Sequence, residues 1–281
     1  MTPIPVNADD FERLAGAVLD DNAWAYFSGG AADELTLDAN REAWRQIQLH
    51  PRVLRDLRGA HPGIRLLGRD WLHPLLVAPM AYQRLAHPDG EIAMAHACAA
   101  QGAGLVLSAQ ASQPMEAVAQ AMLGEPGRGP LWFQLYLQPD AGANRALVQR
   151  AEAAGFEALV LTVDAPVHGA RDRERRAGFR LPPGVSAVNL PPPATTPGGA
   201  GLCGGLLAHA PTWADIEALA ASTRLPLLLK GVLHEDDARQ AQRLGVAGLV
   251  VSNHGGRTLD TVPATAAVLP RIADALGGAL P

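Results

Sequence analysis

The 281-residue sequence predicts an α/β fold of the TIM (β/α)8 barrel type, with about six βα units present. Three observations carry that expectation. Apolar strand-like runs alternate with helical patterns from Pro74 onward, and the first four runs start about thirty residues apart, the size of one strand plus one helix. The runs are apolar throughout, as in parallel strands covered on both faces. Polar residues cluster where each run ends, and in a barrel those ends converge on one mouth. An open doubly wound sheet would bring only a few of them together, and the Gly-rich fingerprint of a dinucleotide fold is absent after the first strand.

Residues 1–73 form a leading region of helices and a hairpin, and 74–281 the barrel, all in one domain. Phe11, Leu14 and Val18 repeat at helical spacing, predicting one amphipathic helix over 9–27 that stops at Ser28-Gly29-Gly30. A second helix is expected from Asp33 to Trp44. Val53 to His73 reads as irregular chain, then a hairpin turning near Gly68-Arg69-Asp70 that caps the bottom of the larger fold.

Strands are expected at 74–79, 104–108, 131–136, 158–164, 225–231 and 248–253, and helices at 90–101, 114–122, 143–154 and 235–244. Between the fourth and fifth strands a long loop, about 166–211, begins with the charged run Arg171-Asp172-Arg173-Glu174-Arg175-Arg176 and turns Pro- and Gly-rich. A loop this long is a functional lid or disordered; its position puts it over the mouth. Pro197–Gly205 looks like a phosphate cradle, but no strand precedes it and no Gly-Lys-Ser/Thr follows.

Composition excludes several classes. A net charge of -5 gives no basic footprint for nucleic acid. No apolar run is long enough to span a membrane, and no signal-peptide pattern opens the chain, so a cytoplasmic location is expected. Cys98 and Cys203 have neither metal nor redox spacing. His234-Glu235-Asp236-Asp237 resembles a metal cluster, but acidic residues also complement a helix start, and no metal site is assigned. The single lysine, Lys230, stands against 22 arginines, which points to a position where a compact ammonium fits and a guanidinium does not.

The most informative stretch runs from Gly248 to Asp260. An apolar strand breaks into Ser252, Asn253 and His254, two glycines turn the chain, and Arg257 follows. An imidazole base beside a fixed cation suits an anionic substrate that must lose a proton.

Ser28-Gly29-Gly30 with Thr36-Leu37, Leu85–Glu91, Trp132–Tyr136, Leu161–Asp164, Leu229-Lys230-Gly231 and Ser252–Arg257 together resemble the FMN-dependent 2-hydroxy-acid oxidising enzymes, the group of glycolate oxidase, lactate oxidase and mandelate dehydrogenase. Ala78–Arg84 is similar to hydroxymandelate-oxidase-like members. The resemblance runs from Tyr26 to about Thr265. It implies FMN as cofactor, a small 2-hydroxy acid as substrate and a homo-oligomer, a tetramer. His254 is then the base, Asp164 its partner, and Tyr136 lies by the substrate hydroxyl. Arg171 and Arg257, with Tyr26, hold the carboxylate. Ser108, Gln134, Thr162 and Lys230 hold the flavin ring, with Ala78, Pro79, Met80 and Ala81 along its edge. Plainer readings stand beside these: Asp164 as a strand-end acid, Tyr136 as core, Arg171 as part of a solvated face.

The sequence also departs from that family. Met80 stands where many members have Thr, and Gln110 replaces a bulky aromatic, which favours a larger substrate side chain. The segments expected to supply strands 7 and 8 and the FMN phosphate motifs are missing, leaving two exposed sheet edges. A truncated gene product is the expected explanation; a split enzyme completed by a second chain and an inactive barrel remnant are the alternatives. A Schiff-base lyase using Lys230 is a further enzyme reading.

Overall fold

The structure, a computed structural model, describes residues 4–191 and 210–281. Cys203 and the Pro197–Gly205 stretch lie outside those residues. Six strands form one parallel sheet in chain order: β3 (Leu76–Val77), β4 (Gly104–Ser108), β5 (Leu131–Leu135), β6 (Ala158–Thr162), β7 (Leu227–Val232) and β8 (Gly248–Val251). Sequential order with every crossover helical is the topology of consecutive βα units of a barrel. The expected strands are all present, one with its expected bounds (Gly104–Ser108) and the others shorter or shifted; β3 keeps two residues of the six, since its outer side has no neighbour to extend the ladder.

Helices α4 (Gly90–Gln101), α5 (Met115–Leu123), α6 (Ala141–Ala154), α8 (Trp213–Ala221), α9 (Glu235–Arg243) and α10 (Thr265–Leu276) pack on the outside. The main core lies between them and the sheet, around the fully buried Phe133, Leu105, Leu159, Leu161, Leu229 and Met115. For two of these helices the sequence predicts no bounds. α8 is announced by Thr212, whose capping box with Asp215 satisfies helix donors; the preceding Pro- and Gly-rich chain hides that signal. α10 contains Pro270 in its second turn, which argues against a helix in sequence; the helix runs through it with one backbone hydrogen bond fewer.

A hairpin of β1 (Ile64–Leu66) and β2 (Arg69–Trp71) turns at Leu67 and Gly68, both at positive φ. It carries Trp71 edge-on to Trp132, at 5.5 Å between ring centroids, and packs on the inner sheet face. Beside it an apolar cavity of about 340 Å³ is lined by Trp44, Leu66, Trp71, Leu228, Val250 and Leu269.

The predicted single helix over 9–27 is two: α1 (Ala8–Val18) and α2 (Asp21–Ser28). The break lies at Leu19 and Asp20, where the Asp20 carboxylate accepts from the Ala23 amide and starts a new helix. Helix α3 (Leu35–Arg45) follows, and the Asp260 carboxylate, far along the chain, accepts from its Leu35 and Thr36 amides. The long loop is not structureless over its described part: the charged run forms α7 (Asp172–Ala177), packed against α2.

Candidate active site

β8 delivers Ser252, Asn253 and His254 to the C-terminal end of the sheet. The Asn253 side chain is buried; it exchanges two amide hydrogen bonds with Asn40, at 2.9 and 2.8 Å, and donates to the Pro263 carbonyl. The turn it anchors places His254 at φ 59°, the left-handed region that non-glycine residues seldom occupy, with its amide donating to Ser252 Oγ. Gly256 has φ 72°, and a Cβ there would lie 2.6 Å from the Leu37 nitrogen, so only glycine lets α3 approach the turn this closely.

His254 Nδ1 lies 2.7 Å from Asp164 Oδ1, at the end of β6. Because the carboxylate accepts, Nδ1 carries the proton, and the neutral ring presents a lone pair at Nε2. Tyr136 Oη stands 3.4 Å from that Nε2. Burial, then the Asp164 charge, pushes the Tyr136 phenol up to about 12, so the hydroxyl keeps its proton at neutral pH. Asp164 Oδ2 is buried and finds no partner among the described residues.

Two arginines lie on the other side. Arg257 donates to the Gly29 carbonyl and, at 3.1 Å, to Glu174 Oε1. Its guanidinium carbon is 5.2 Å from the centre of the Tyr26 ring. Burial, then repulsion from Arg171, lowers the Arg257 pKa. Arg171 reaches the same Glu174 oxygen at 3.0 Å, and its buried Nε has no partner among the described residues. Tyr26 stacks on Phe179 with ring centroids 4.9 Å apart, and burial pushes its phenol up to about 12.

A polar row crosses the strand ends below. Ser108 Oγ donates to Gln134 Oε1 at 3.0 Å, and Gln134 Nε2 donates to Thr162 Oγ1 at 2.9 Å. Thr162 pairs in register with Lys230. All four are buried, and a ladder irregularity between Lys230 and Val232 ends the row. Gly231 there has φ 114°, and a Cβ would meet the Asp164 side chain at 2.5 Å. Burial lowers the Lys230 pKa, and the Asp164 charge works against that. Ala78 and Met80 are exposed beyond β3, and Ala81 is half-buried. Tyr82, at φ 54°, ties that segment to the Gln110 carbonyl.

His254, Asp164, Tyr136, Tyr26, Arg171 and Arg257 are therefore drawn into one cluster, while Ala78–Met80 makes no hydrogen bond to it. His234–Asp237 opens α9 instead: His234 accepts from the Asp236 amide, and Glu235 pairs with Arg271. Glu174, Asn40 and Asn253 went unassigned in the sequence. Glu174 sits three residues after Arg171, an ion-pair spacing lost in a run of charges.

The row of a hydroxyl, an amide, a hydroxyl and an ammonium fits the polar edge of a flavin pyrimidine ring, whose carbonyls and imide need both donors and acceptors. The orphaned Arg171 Nε and the paired guanidiniums fit a carboxylate.

Comparison with known proteins agrees. A family model described as FMN-dependent dehydrogenase matches residues 15–281. L-lactate oxidase of Alicycliphilus denitrificans is 47% identical over 98% of this chain and 76% of its own length. Glycolate oxidase 1 of Zea mays is 40% identical, over 98% and 75%. The crystal structure of mandelate oxidase with (S)-2-phenylpropionate superposes with a TM-score of 0.88 at 40% identity, covering 99% of this chain and 76% of that one.

Proposed function

Because the chain belongs to the FMN-dependent dehydrogenase family, we propose that it oxidises a small 2-hydroxy acid to the 2-oxo acid, with His254 as the base. The observation that carries this reading is the Asp164–His254–Tyr136 line facing two arginines. Bound FMN supplies the two-electron sink for the substrate's C2. His254 Nε2 takes a proton from the substrate, and the Asp164 carboxylate stabilises the imidazolium that results. Arg257 and Arg171 hold the substrate carboxylate, with Tyr26 beside them, and the Tyr136 hydroxyl donates toward the reacting oxygen. Ser108, Gln134 and Thr162 align the ring edge, and the Lys230 ammonium favours negative charge there. The backbone of Ala78, Pro79, Met80 and Ala81 flanks the ring. Family membership displaces the Schiff-base lyase reading of Lys230.

The reading keeps the whole chain as one catalytic domain in a cytoplasmic homo-oligomer; light scattering and cell fractionation test that setting. For the reaction, the absorption spectrum of the chain with added FMN is recorded before and after lactate, glycolate and mandelate. A protein-bound flavin that bleaches with one of them supports the function, and the acid that bleaches it fastest gives the substrate. His254→Ala is expected to bind flavin and abolish bleaching; retained bleaching removes His254 as the base.

A further inference from the structure

The two arginines assigned to the substrate carboxylate already share one. Arg171 Nη1 and Arg257 Nη2 both donate to Oε1 of Glu174, and all three side chains are at most 20% exposed. Glu174 is thus wedged between two guanidiniums whose mutual repulsion it offsets.

The charges facing this point can be counted element by element. Arg171 and Glu174 belong to α7 and its cap, and Arg257 to the turn after β8. Tyr26 of α2 and Tyr136 remain neutral phenols. Asp164 and Lys230 carry opposite charges. The other cations of α7 are matched nearby: Arg173 by Glu34, Arg175 and Arg176 by Asp172. Arg175 and Arg180 are exposed at the rim of an open cavity of about 540 Å³, where solvent screens them. Residues 192–209 contain no Asp, Glu, Lys or Arg. Outside the Asp164–His254 pair, two arginines and one glutamate leave a single uncompensated positive charge.

We propose that Glu174 is a positioning and specificity-determining residue that limits the anion site to one net positive charge, selecting 2-hydroxy monocarboxylates against 2-hydroxy dicarboxylates. The inference rests on the 2-hydroxy-acid reading above. A monocarboxylate neutralises the site. A second carboxylate finds Arg171 and Arg257 already engaged by Glu174 and by the first carboxylate, so within the cluster it is buried without a partner. Glu174→Gln keeps the side-chain size and an acceptor oxygen but removes the charge. Glu174→Asp keeps the charge.

The test compares lactate with malate, which differ by a methyl and a carboxymethyl group, in flavin bleaching by the FMN-loaded chain. Wild type is expected to favour lactate by at least about 10²-fold in kcat/KM. In Glu174→Gln the malate-to-lactate ratio of kcat/KM rises at least about tenfold, and Glu174→Asp returns the ratio toward wild type. A purely structural role would lower both substrates together and leave the ratio unmoved, which overturns the inference. Should Glu174→Gln not fold, inhibition of the wild type decides: butyrate is expected to bind at least tenfold more tightly than succinate, and equal binding overturns the inference. A wild-type chain that no 2-hydroxy acid bleaches overturns the functional reading instead.

Discussion

Tyr26 and Tyr136 owe their raised pKa first to burial. An unfolded phenol loses its proton near pH 10, whereas these hold theirs to about 12. Between those pH values the folded chain binds more protons, so stability is fully present below the lower value and is lost as pH rises through the upper one. Each shift is worth about 2–3 kcal/mol before allowance for residual exposure. The chain has three tyrosines, and burial raises Tyr82 as well. Ultraviolet titration is therefore expected to show little phenolate from Tyr26 and Tyr136 at pH 10 until the chain unfolds; early ionisation of both contradicts the buried site. Asp164→Asn tests the neighbouring pair. An amide can offer Nδ1 a donor instead of an acceptor, which moves the proton to Nε2 and removes the base. Flavin bleaching is expected to slow by about 10²-fold or more with flavin still bound. The positions of these residues were legible because a polar side chain at the end of an apolar run has few places to point. Glu174 was not, since its partner Arg257 lies 83 residues away and nothing local marks the pairing.

Strands and turns have their own sensitivities. Gly256→Ala adds a Cβ where the α3 backbone stands and forces alanine to a positive φ. The melting temperature is expected to fall by several degrees, and bleaching to fall with it as His254 is displaced. A variant that melts and reacts like wild type would show that α3 does not pack on this turn. Thr212→Ala removes half of the capping box of α8 and is expected to cost about 1 kcal/mol in denaturant unfolding, without altering flavin affinity. The six strands were readable because continuous apolar runs with regular spacing have one good solution, a covered parallel sheet. The α1–α2 break was not, because Asp20 interrupts a helical period that resumes on the far side. α8 and α10 were missed for the opposite reasons: one is preceded by proline and glycine, the other contains proline.

Across the chain, the sheet is open among the described residues, between β3 and β8. The Pro281 carbonyl accepts from the Leu249 amide, just as Pro130 serves Leu105 before β5 and Pro226 serves Leu159 before β7. The outer edge of β8 therefore has a set register for another parallel strand. The chain spans about three quarters of the relatives' length. On that geometry the purified chain is expected to self-associate with rising concentration, and the C-terminal quarter of a lactate oxidase relative, added in trans, to suppress it. Light scattering that stays monomeric throughout would mean the edges are already blunted. The sheet order was legible from the βα rhythm together with the polar residues at the strand ends. The contact between the first and last parts was not, because no local pattern records it. That contact has a consequence in time. The amides of Leu35 and Thr36 find their acceptor in Asp260, 225 and 224 residues later. At about 5–20 residues per second of synthesis, roughly ten to fifty seconds pass before the acceptor exists. The start of α3 must wait for a carboxylate just beyond His254, so its first amides are satisfied long after their own residues have been made.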